Sequence, residues 1–115
     1  MRVIIAGSRG IVMSPAQISA VVAASGFDIS EVVCGLARGA DRSGERWARN
    51  RQIPVKRFPA DWAKHGKRAG ILRNEQMATY ADALIAIWDG VSPGTRHMIS
   101  AAAAHGLRAY VVRVP

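Results

Sequence analysis

Cysteine, aromatic residues and long apolar runs are all scarce in this 115-residue sequence. A single cysteine, Cys34, excludes an intramolecular disulfide, and one thiol with three histidines at unrelated spacings is a poor basis for a structural zinc site. No apolar run approaches the ~20 residues that cross a bilayer, and the opening apolar segment is too short for a signal peptide. The sequence therefore predicts a cytoplasmic protein with no metal, no cofactor and no membrane partner.

Acidic residues are also few, 8 against 16 lysines and arginines, which gives a net charge of +8. The excess is concentrated between residues 38 and 73, where eleven basic side chains stand against three acids. An anionic partner should approach this middle third of the chain, so nucleic acid stays open as a partner. The basic residues are Arg38, Arg42, Arg46, Arg49, Arg51, Lys56, Arg57, Lys64, Lys67, Arg68 and Arg73.

Apolar residues make up 50% of the chain and charged residues 21%, a balance typical of a folded domain. A chain of this length fits one domain, and we expect residues 1–115 to form a single domain. A domain this small gains core by pairing, and the alanine run at residues 101–104 suits close packing. We therefore also expect a homo-oligomer, a dimer or higher.

Short apolar runs alternate with amphipathic segments along the chain. The apolar runs predict strands at residues 2–7, 31–34, 53–58, 81–88 and 108–112, the third at the sheet edge because it contains Pro54. Helical spacing and cap residues predict helices at residues 15–25, 39–50, 71–80 and 95–105, whereas residues 59–70 show no period and predict a long functional loop. The alternation predicts an α/β fold, a single Rossmann-like three-layer domain with a parallel sheet of about five strands. The first strand should lie near the centre, where the strand order reverses.

Three predicted strands end in loops of similar composition, at residues 7–10, 35–41 and 89–95. Because the carboxyl ends of parallel strands meet at one edge of a sheet, we expect these loops to lie together. Glycine lets backbone amides approach a ligand, hydroxyl and guanidinium groups add donors, and the following helix presents its positive end, so each loop suits a phosphate. Each loop alone is also typical of an ordinary strand-to-helix turn, and none has a recognised dinucleotide or P-loop pattern. The ligand-binding residues predicted in these loops are Gly7, Ser8, Arg9, Gly35, Arg38, Gly39, Asp41, Asp89, Ser92, Gly94 and Thr95.

Individual side chains suggest how the ligand is held. Arg9, Arg38 and Arg73 are predicted phosphate ligands, since a planar guanidinium grips a phosphate at two points, with plain surface arginine as the alternative. Asp41 would bind ribose hydroxyls. Alternatively, its negative charge would only interact favourably with the positive end of the helix dipole. Trp62 would stack on a base, or would anchor its own loop.

Several motifs, taken in chain order, resemble a known family. They are Gly7-Ser8-Arg9, residues 34–41, Phe58-Pro59-Ala60-Asp61-Trp62, residues 69–74 with Met77, Asp89-Gly90, and Ser92-Pro93-Gly94-Thr95. Together they make the chain, from Arg2 to about Tyr110, resemble the short stand-alone branch of the SLOG superfamily, which is related to the SMF/DprA and LOG proteins. That superfamily includes the LOG phosphoribohydrolases, which cleave the base from nucleoside monophosphates, the DNA-processing protein DprA, and sensor domains for NAD-derived nucleotides. The resemblance implies a Rossmann-like fold and a nucleotide-type ligand, and it leaves the reaction open.

Of two positions in the LOG pattern, this sequence departs from one and matches the other. In LOG enzymes a Gly-Thr pair is followed three residues later by a catalytic glutamate, and here Gly94-Thr95 is followed at that position by Met98. A thioether neither stabilises an oxocarbenium ion nor activates water, so this departure argues against LOG-type hydrolysis. The LOG arginine that opens a helix, with a methionine four residues on, is matched by Arg73 and Met77. Anion binding is thus expected to survive where hydrolysis does not.

Three functions follow from these observations, and the sequence favours the first. The first is binding of a nucleoside phosphate, ADP-ribose or an NAD-related molecule by a sensor, carrier or sequestering protein, with Arg73 and Asn74 among the ligand-binding residues. The second is hydrolysis of a nucleotide N-glycosidic bond, with Asp89 or Asp41 replacing the missing glutamate. The third is DprA-like binding of nucleic acid through the basic middle third.

Overall fold

The computed structural model describes residues 1–35 and 39–115, and a parallel sheet runs through its centre. The strands are β1 (Arg2–Gly7), β2 (Glu31–Cys34), β3 (Val55–Arg57), β4 (Ala83–Trp88) and β5 (Arg108–Arg113). Their order across the sheet is β3-β2-β1-β4-β5, and every neighbouring pair is parallel. The predicted α/β, Rossmann-like fold is therefore confirmed, with β1 at the centre and β3 at an edge.

Helices connect the successive strands. They are α1 (Pro15–Ser25), α2 (Ala40–Asn50), α3 (Trp62–His65), α4 (Ala69–Tyr80) and α5 (Pro93–Ala104). The ends of α1 follow from its cap residues. Ser14 Oγ accepts from Gln17 N at 3.2 Å, Gln17 Oε1 accepts from Ser14 N at 2.9 Å, and Pro15 occupies the first turn. Gly26, at a φ of 73°, ends the helix in the left-handed conformation that glycine adopts readily.

The strand order reverses between β1 and β4. Val3 of β1 pairs with Val32 of β2 on one side and with Ala83 of β4 on the other. In open parallel sheets, ligands bind outside the carboxyl ends of the strands at the point where the order reverses. That point lies here beyond Gly7 and Trp88, the last residues of β1 and β4.

Two apolar layers cover the sheet. One packs Leu84 against Met77 of α4 and Met98 of α5, and the other packs Ile85 in the same cluster as Trp47 of α2. Trp47 is 4% exposed and belongs to this core. Within the described residues, no helix is both long and apolar enough to cross a membrane.

The segment at residues 59–70 differs from the long loop that the sequence predicted. α3 and a 3₁₀ turn at Gly66–Arg68 fill most of it, and α4 begins at Ala69. Asp61 Oδ1 accepts from Lys64 N at 3.1 Å and thereby caps α3. The loop prediction is wrong because a four-residue helix with no buried side chain shows no helical period of apolar residues.

Candidate functional site

A cavity of about 390 Å³ lies at the point where the strand order reverses. It is bounded by the loop after β1, the first turn of α2, the start of α4 and the first turn of α5. Ala6, Gly10, Met77, Pro93 and Met98 complete its wall. The predicted site residues that line it are Gly7, Ser8, Arg9, Asp41, Arg73, Asn74, Ser92, Gly94 and Thr95.

The loop after β1 is fastened to β4 by Ser8. Its amide donates to Ile87 O at 3.0 Å, and its Oγ accepts from Asp89 N at 3.1 Å, so the 2%-exposed serine joins the ends of both strands. Gly7, just before it, lies so close to the Ile87 carbonyl that any side chain would collide with it. The next residue, Arg9, is exposed at the cavity edge. This packing brings the backbone of the loop and the Arg9 side chain to the cavity.

The first turn of α2 contributes a buried carboxylate. Asp41 is 4% exposed, and its Oδ1 accepts from Gly7 N at 3.0 Å. Gly39 precedes the helix at a φ of 77°, and a Cβ there would lie 2.5 Å from the carbonyl oxygens of Ser8 and Arg9. Asp41 therefore lies at the cavity wall and also holds the β1 loop against α2. Arg38, the third predicted phosphate ligand, lies outside the described residues.

Arg73 reaches the cavity from α4 and is held in place on two sides. Its Nη1 donates to the carbonyl oxygen of Gly35, and its Nε donates to Asn74 Oδ1 at 3.0 Å. Burial lowers the pKa of the half-buried guanidinium, the charge of Arg9 lowers it further, and Asp41 raises it. Arginine stays protonated at neutral pH despite such shifts. The cavity therefore has two interacting positive charges, on Arg9 and Arg73. The carbonyl oxygen of Gly35 holds the guanidinium of Arg73 in place.

The first turn of α5 faces the same cavity. Ser92 precedes the helix, but its Oγ accepts no hydrogen bond from the helix amides and donates to Asp89 Oδ2 at 2.7 Å. Pro93 has no amide hydrogen, so Gly94 and Thr95 supply the first amides at the positive end of the helix. Uncapped amides at a helix N-terminus bind anions readily.

Asn74 connects α4 to α5 behind the cavity. Its Nδ2 donates to Gly94 O at 3.3 Å and lies 3.1 Å from His97 Nδ1. His97 is not among the residues predicted for the site, because the histidines of the sequence suggested only metal binding. Its position three residues after Gly94, on the same helical face, was the available signal.

Four of the predicted site residues that the structure describes lie outside the cavity lining: Gly35, Gly39, Trp62 and Asp89. Asp89 Oδ1 accepts from Val91 N at 2.9 Å and Ser92 N at 2.8 Å, and these backbone hydrogen bonds lower the pKa of Asp89 to about 2. Trp62 lies on α3 and is 53% exposed. Asp89 therefore shapes the loop that leads to α5, and Trp62 does not reach the cavity in this conformation.

The described residues offer no metal centre. Across residues 1–35 and 39–115, no group of three histidine, cysteine, aspartate or glutamate side chains is arranged to hold a metal ion.

The fold and the cavity define a class of protein, a Rossmann-like domain with a cationic, glycine-lined cavity where the strand order reverses. Within that class, the model of the YspA, cpYpsA-related SLOG family (YAcAr) matches residues 1–65, and the chain belongs to this family. The predicted SLOG membership is thereby confirmed, and it suggests a nucleotide-related role. The chain is also similar to the Gene 61 protein of Mycobacterium phage D29, at 42% identity over 82 residues. That match covers 66% of this chain and 66% of the phage protein, just under two thirds of its length. No solved structure matches the chain.

Proposed function

We propose that the chain binds a nucleotide or nucleotide-derived ligand, with a phosphate held between Arg9, Arg73 and the first turn of α5. The observation that carries this proposal is the convergence of two guanidinium groups and the uncapped amides of Gly94 and Thr95 on one cavity. Guanidinium groups and helix N-terminal amides are the usual protein ligands of phosphate.

The electrostatics of the cavity favour an anion over a neutral ligand. Burial lowers the pKa of Arg73, Asp41 raises it, and the charge of Arg9 lowers it, so Arg9 and Arg73 repel each other. An anion placed between two such cations removes the repulsion and replaces lost hydration with charge-assisted hydrogen bonds. Asp41, the one acid in the lining, already accepts a hydrogen bond from Gly7 N.

The size and the wall of the cavity favour binding over hydrolysis. About 390 Å³ lies within the range of about 300–1,000 Å³ that is usual for small-molecule sites. Met98, at the position of the LOG glutamate, is 1% exposed and lines the cavity with an unreactive thioether. Asp89, one of the two candidate replacements, is outside the lining. These observations support a protein that senses, carries or sequesters its ligand.

Isothermal titration calorimetry with AMP, ADP-ribose and NAD tests the proposal directly. We expect at least one of the three to bind, and Arg73→Ala to weaken that binding about tenfold or more, since a hydrogen bond between charged groups contributes ~1.5–3 kcal/mol. Arg46→Ala is the matched control, because Arg46 is exposed on α2 and outside the cavity. Absence of binding for all three ligands, or equal binding by Arg73→Ala and the wild type, would contradict the proposal.

The same mixtures address the hydrolase alternative. Free base or nicotinamide is measured by chromatography after prolonged incubation with AMP or NAD. Binding without release of either supports a sensor or carrier. Release that depends on Asp41 would favour the N-glycosidase instead.

Nucleic acid is a second candidate ligand because of the exposed basic surface. Among the described basic residues between positions 39 and 73, all but Arg73 are exposed. Binding through such a surface weakens steeply with salt, with a slope of about −0.7 per neutralised phosphate for single strands on a log–log plot. Fluorescence anisotropy with single-stranded DNA at increasing NaCl measures this slope. We expect Lys67→Glu with Arg68→Glu to reduce it, and a flat dependence would contradict this function.

A further inference from the structure

A chain of hydrogen bonds leads from the cavity through Asn74 to His97 on α5. Asn74 is 6% exposed, and its Oδ1 accepts from Arg73 Nε at 3.0 Å. Its Nδ2 donates to Gly94 O at 3.3 Å and lies 3.1 Å from His97 Nδ1. An arginine Nε only donates and a carbonyl oxygen only accepts, so these two partners fix which way the Asn74 amide faces.

That orientation decides where His97 carries its proton. Because Asn74 Nδ2 is a donor, the facing Nδ1 of His97 must accept and has no hydrogen. The proton of the neutral imidazole is then on Nε2, which lies 3.7 Å from Glu75 Oε1. Glu75 Oε2 lies 3.1 Å from His105 Nε2. In the described part of the chain, the charged and titratable groups around His97 are thus Glu75, His105 beyond it, and Arg73 beyond Asn74.

We propose that His97 is a positioning residue of the cavity. Its neutral form holds Asn74, and through Asn74 the guanidinium of Arg73, whereas its protonation breaks this arrangement. The inference rests on the proposed function, because it concerns the residue proposed to bind the anion.

The physical reason is a clash of donors. Both ring nitrogens of an imidazolium donate, so a protonated Nδ1 would face the NH₂ group of Asn74. Turning the amide over does not help, since its NH₂ would then oppose the Arg73 Nε–H and its oxygen would oppose the Gly94 carbonyl. Protonation therefore costs the Asn74–His97 hydrogen bond and loosens Arg73. The anion affinity of the cavity should therefore be lower where His97 is protonated than where it is neutral.

A simple charge effect has the opposite sign. A positive charge added at His97 attracts an anion through space, so without the hydrogen-bond chain the affinity would rise at low pH. The direction of the pH dependence therefore separates positioning from general electrostatics.

The first measurement needs no ligand. Nitrogen-15 NMR of the full chain between about pH 5 and pH 8 follows the ring nitrogens of His97 and the Nε–H of Arg73, assigned by its loss in Arg73→Ala. We expect the neutral ring to be protonated on Nε2, and the Arg73 signal to move together with the titration of His97. A proton on Nδ1 of the neutral ring would overturn the inference. So would an Arg73 Nε–H signal that does not change as His97 is protonated.

The second measurement is the dissociation constant of ADP-ribose at about pH 5.5 and about pH 7.5. ADP-ribose is chosen because its two linked phosphates keep a constant charge over this range, unlike a phosphate monoester, whose second pKa is about 6. We expect binding by the wild type to be about three- to tenfold weaker at the lower pH, the usual effect of losing one hydrogen bond.

Three variants separate positioning from mere structure. His97→Asn places an oxygen near the position of Nδ1, and its side chain does not titrate. This variant should therefore bind ADP-ribose equally well at both pH values, with the affinity of the wild type at the higher pH. His97→Ala should bind ADP-ribose weakly at both pH values. His105→Asn is the matched control, because His105 contacts Glu75 but not Asn74, and it should keep the wild-type pH dependence.

Opposite results have distinct meanings. Wild-type affinity that is constant or higher at low pH, or an unchanged pH dependence in His97→Asn, would overturn the inference. Failure of ADP-ribose to bind at either pH would count against the proposed function for this ligand, and the ligand-free NMR result would still decide the role of His97.

Discussion

Asp89 shows how a single carboxylate organises the loop between β4 and α5. Its Oδ1 accepts from the amides of Val91 and Ser92, and its Oδ2 accepts from the Ser92 hydroxyl. The Ser92 side chain does not cap α5, so the first amides of that helix stay available at the cavity. Asp89 therefore shapes the loop that leads to α5 and lies outside the cavity lining.

The first prediction concerns Asp89 and acid stability. The pKa of Asp89 is about 2 in the folded chain, below its ordinary value of 3.8, because it accepts hydrogen bonds from Val91 and Ser92. A depressed carboxylate pKa stabilises the fold above the ordinary value, and this stabilisation is lost as the pH falls toward 2. Urea unfolding from neutral pH downward should show Asp89→Asn less stable than the wild type at neutral pH, with the difference shrinking in acid. Asp28→Asn, at an exposed carboxylate away from the site, serves as the control, and a constant difference at every pH would contradict the prediction.

The second prediction concerns Gly39 and the contact between the β1 loop and α2. Gly39→Ala would put a side chain at a φ of 77° and 2.5 Å from the carbonyl oxygens of Ser8 and Arg9. Gly39 combines this φ with a ψ of −126°, a region that residues with a Cβ rarely adopt and that costs them about 1–3 kcal/mol, and the collision adds to this cost. Urea unfolding should therefore show a loss of at least about 1 kcal/mol. Gly10→Ala, with open space around its Cβ, should leave stability nearly unchanged. Equal stability of the two variants would show that the contact is absent.

Helix caps determine where the elements begin, and α1 offers a clear test. The third prediction is that Ser14→Ala lowers the free energy of unfolding by about 1 kcal/mol, because it removes the hydrogen bond from Gln17 N. Ser14→Asp keeps an acceptor at the same place and should retain most of the stability. Thermal unfolding followed by circular dichroism measures both. A Ser14→Asp variant as unstable as Ser14→Ala would show that the cap does not hold this helix end.

Most elements were predictable because their signals are local. Ser14-Pro15 and Gly26 mark both ends of α1, and the apolar run of β4 requires no knowledge of the rest of the chain. The segment at residues 59–70 was not predictable in this way, since α3 is held by the Asp61 cap and has no buried face. Short elements of this kind have too few residues for a period to be seen.

The site was predictable to the extent that topology determines it. Because parallel strands present their carboxyl ends at one edge, residues as distant as Ser8 and Thr95 were expected to meet, and both line the cavity. Trp62 was assigned on residue type alone and His97 was missed, because the placement of both depends on packing that sequence spacing does not encode. His97 lies behind the cavity only because α4 and α5 meet at Asn74.

The whole molecule has a net charge of +8, and its exposed basic side chains repel one another. Such self-repulsion destabilises a compact chain, and salt at ~0.1 M screens charges beyond about 10 Å. Two effects of added salt should therefore appear together. Any salt should stabilise the fold by screening, and an anion that occupies the cavity should stabilise it further by binding only the folded state.

The fourth prediction separates these two effects by thermal unfolding in sodium chloride and in sodium phosphate at equal ionic strength. Both salts should raise the Tm, with phosphate raising it more. Phosphate also strengthens apolar burial in general, so the decisive comparison is between variants. Arg73→Ala should lose most of the extra phosphate effect and keep the chloride effect. Arg46→Ala should keep both effects, because Arg73 lines the cavity and Arg46 does not. An equal phosphate effect in the two variants would mean that phosphate acts on the general surface charge, and it would remove Arg73 from the anion site.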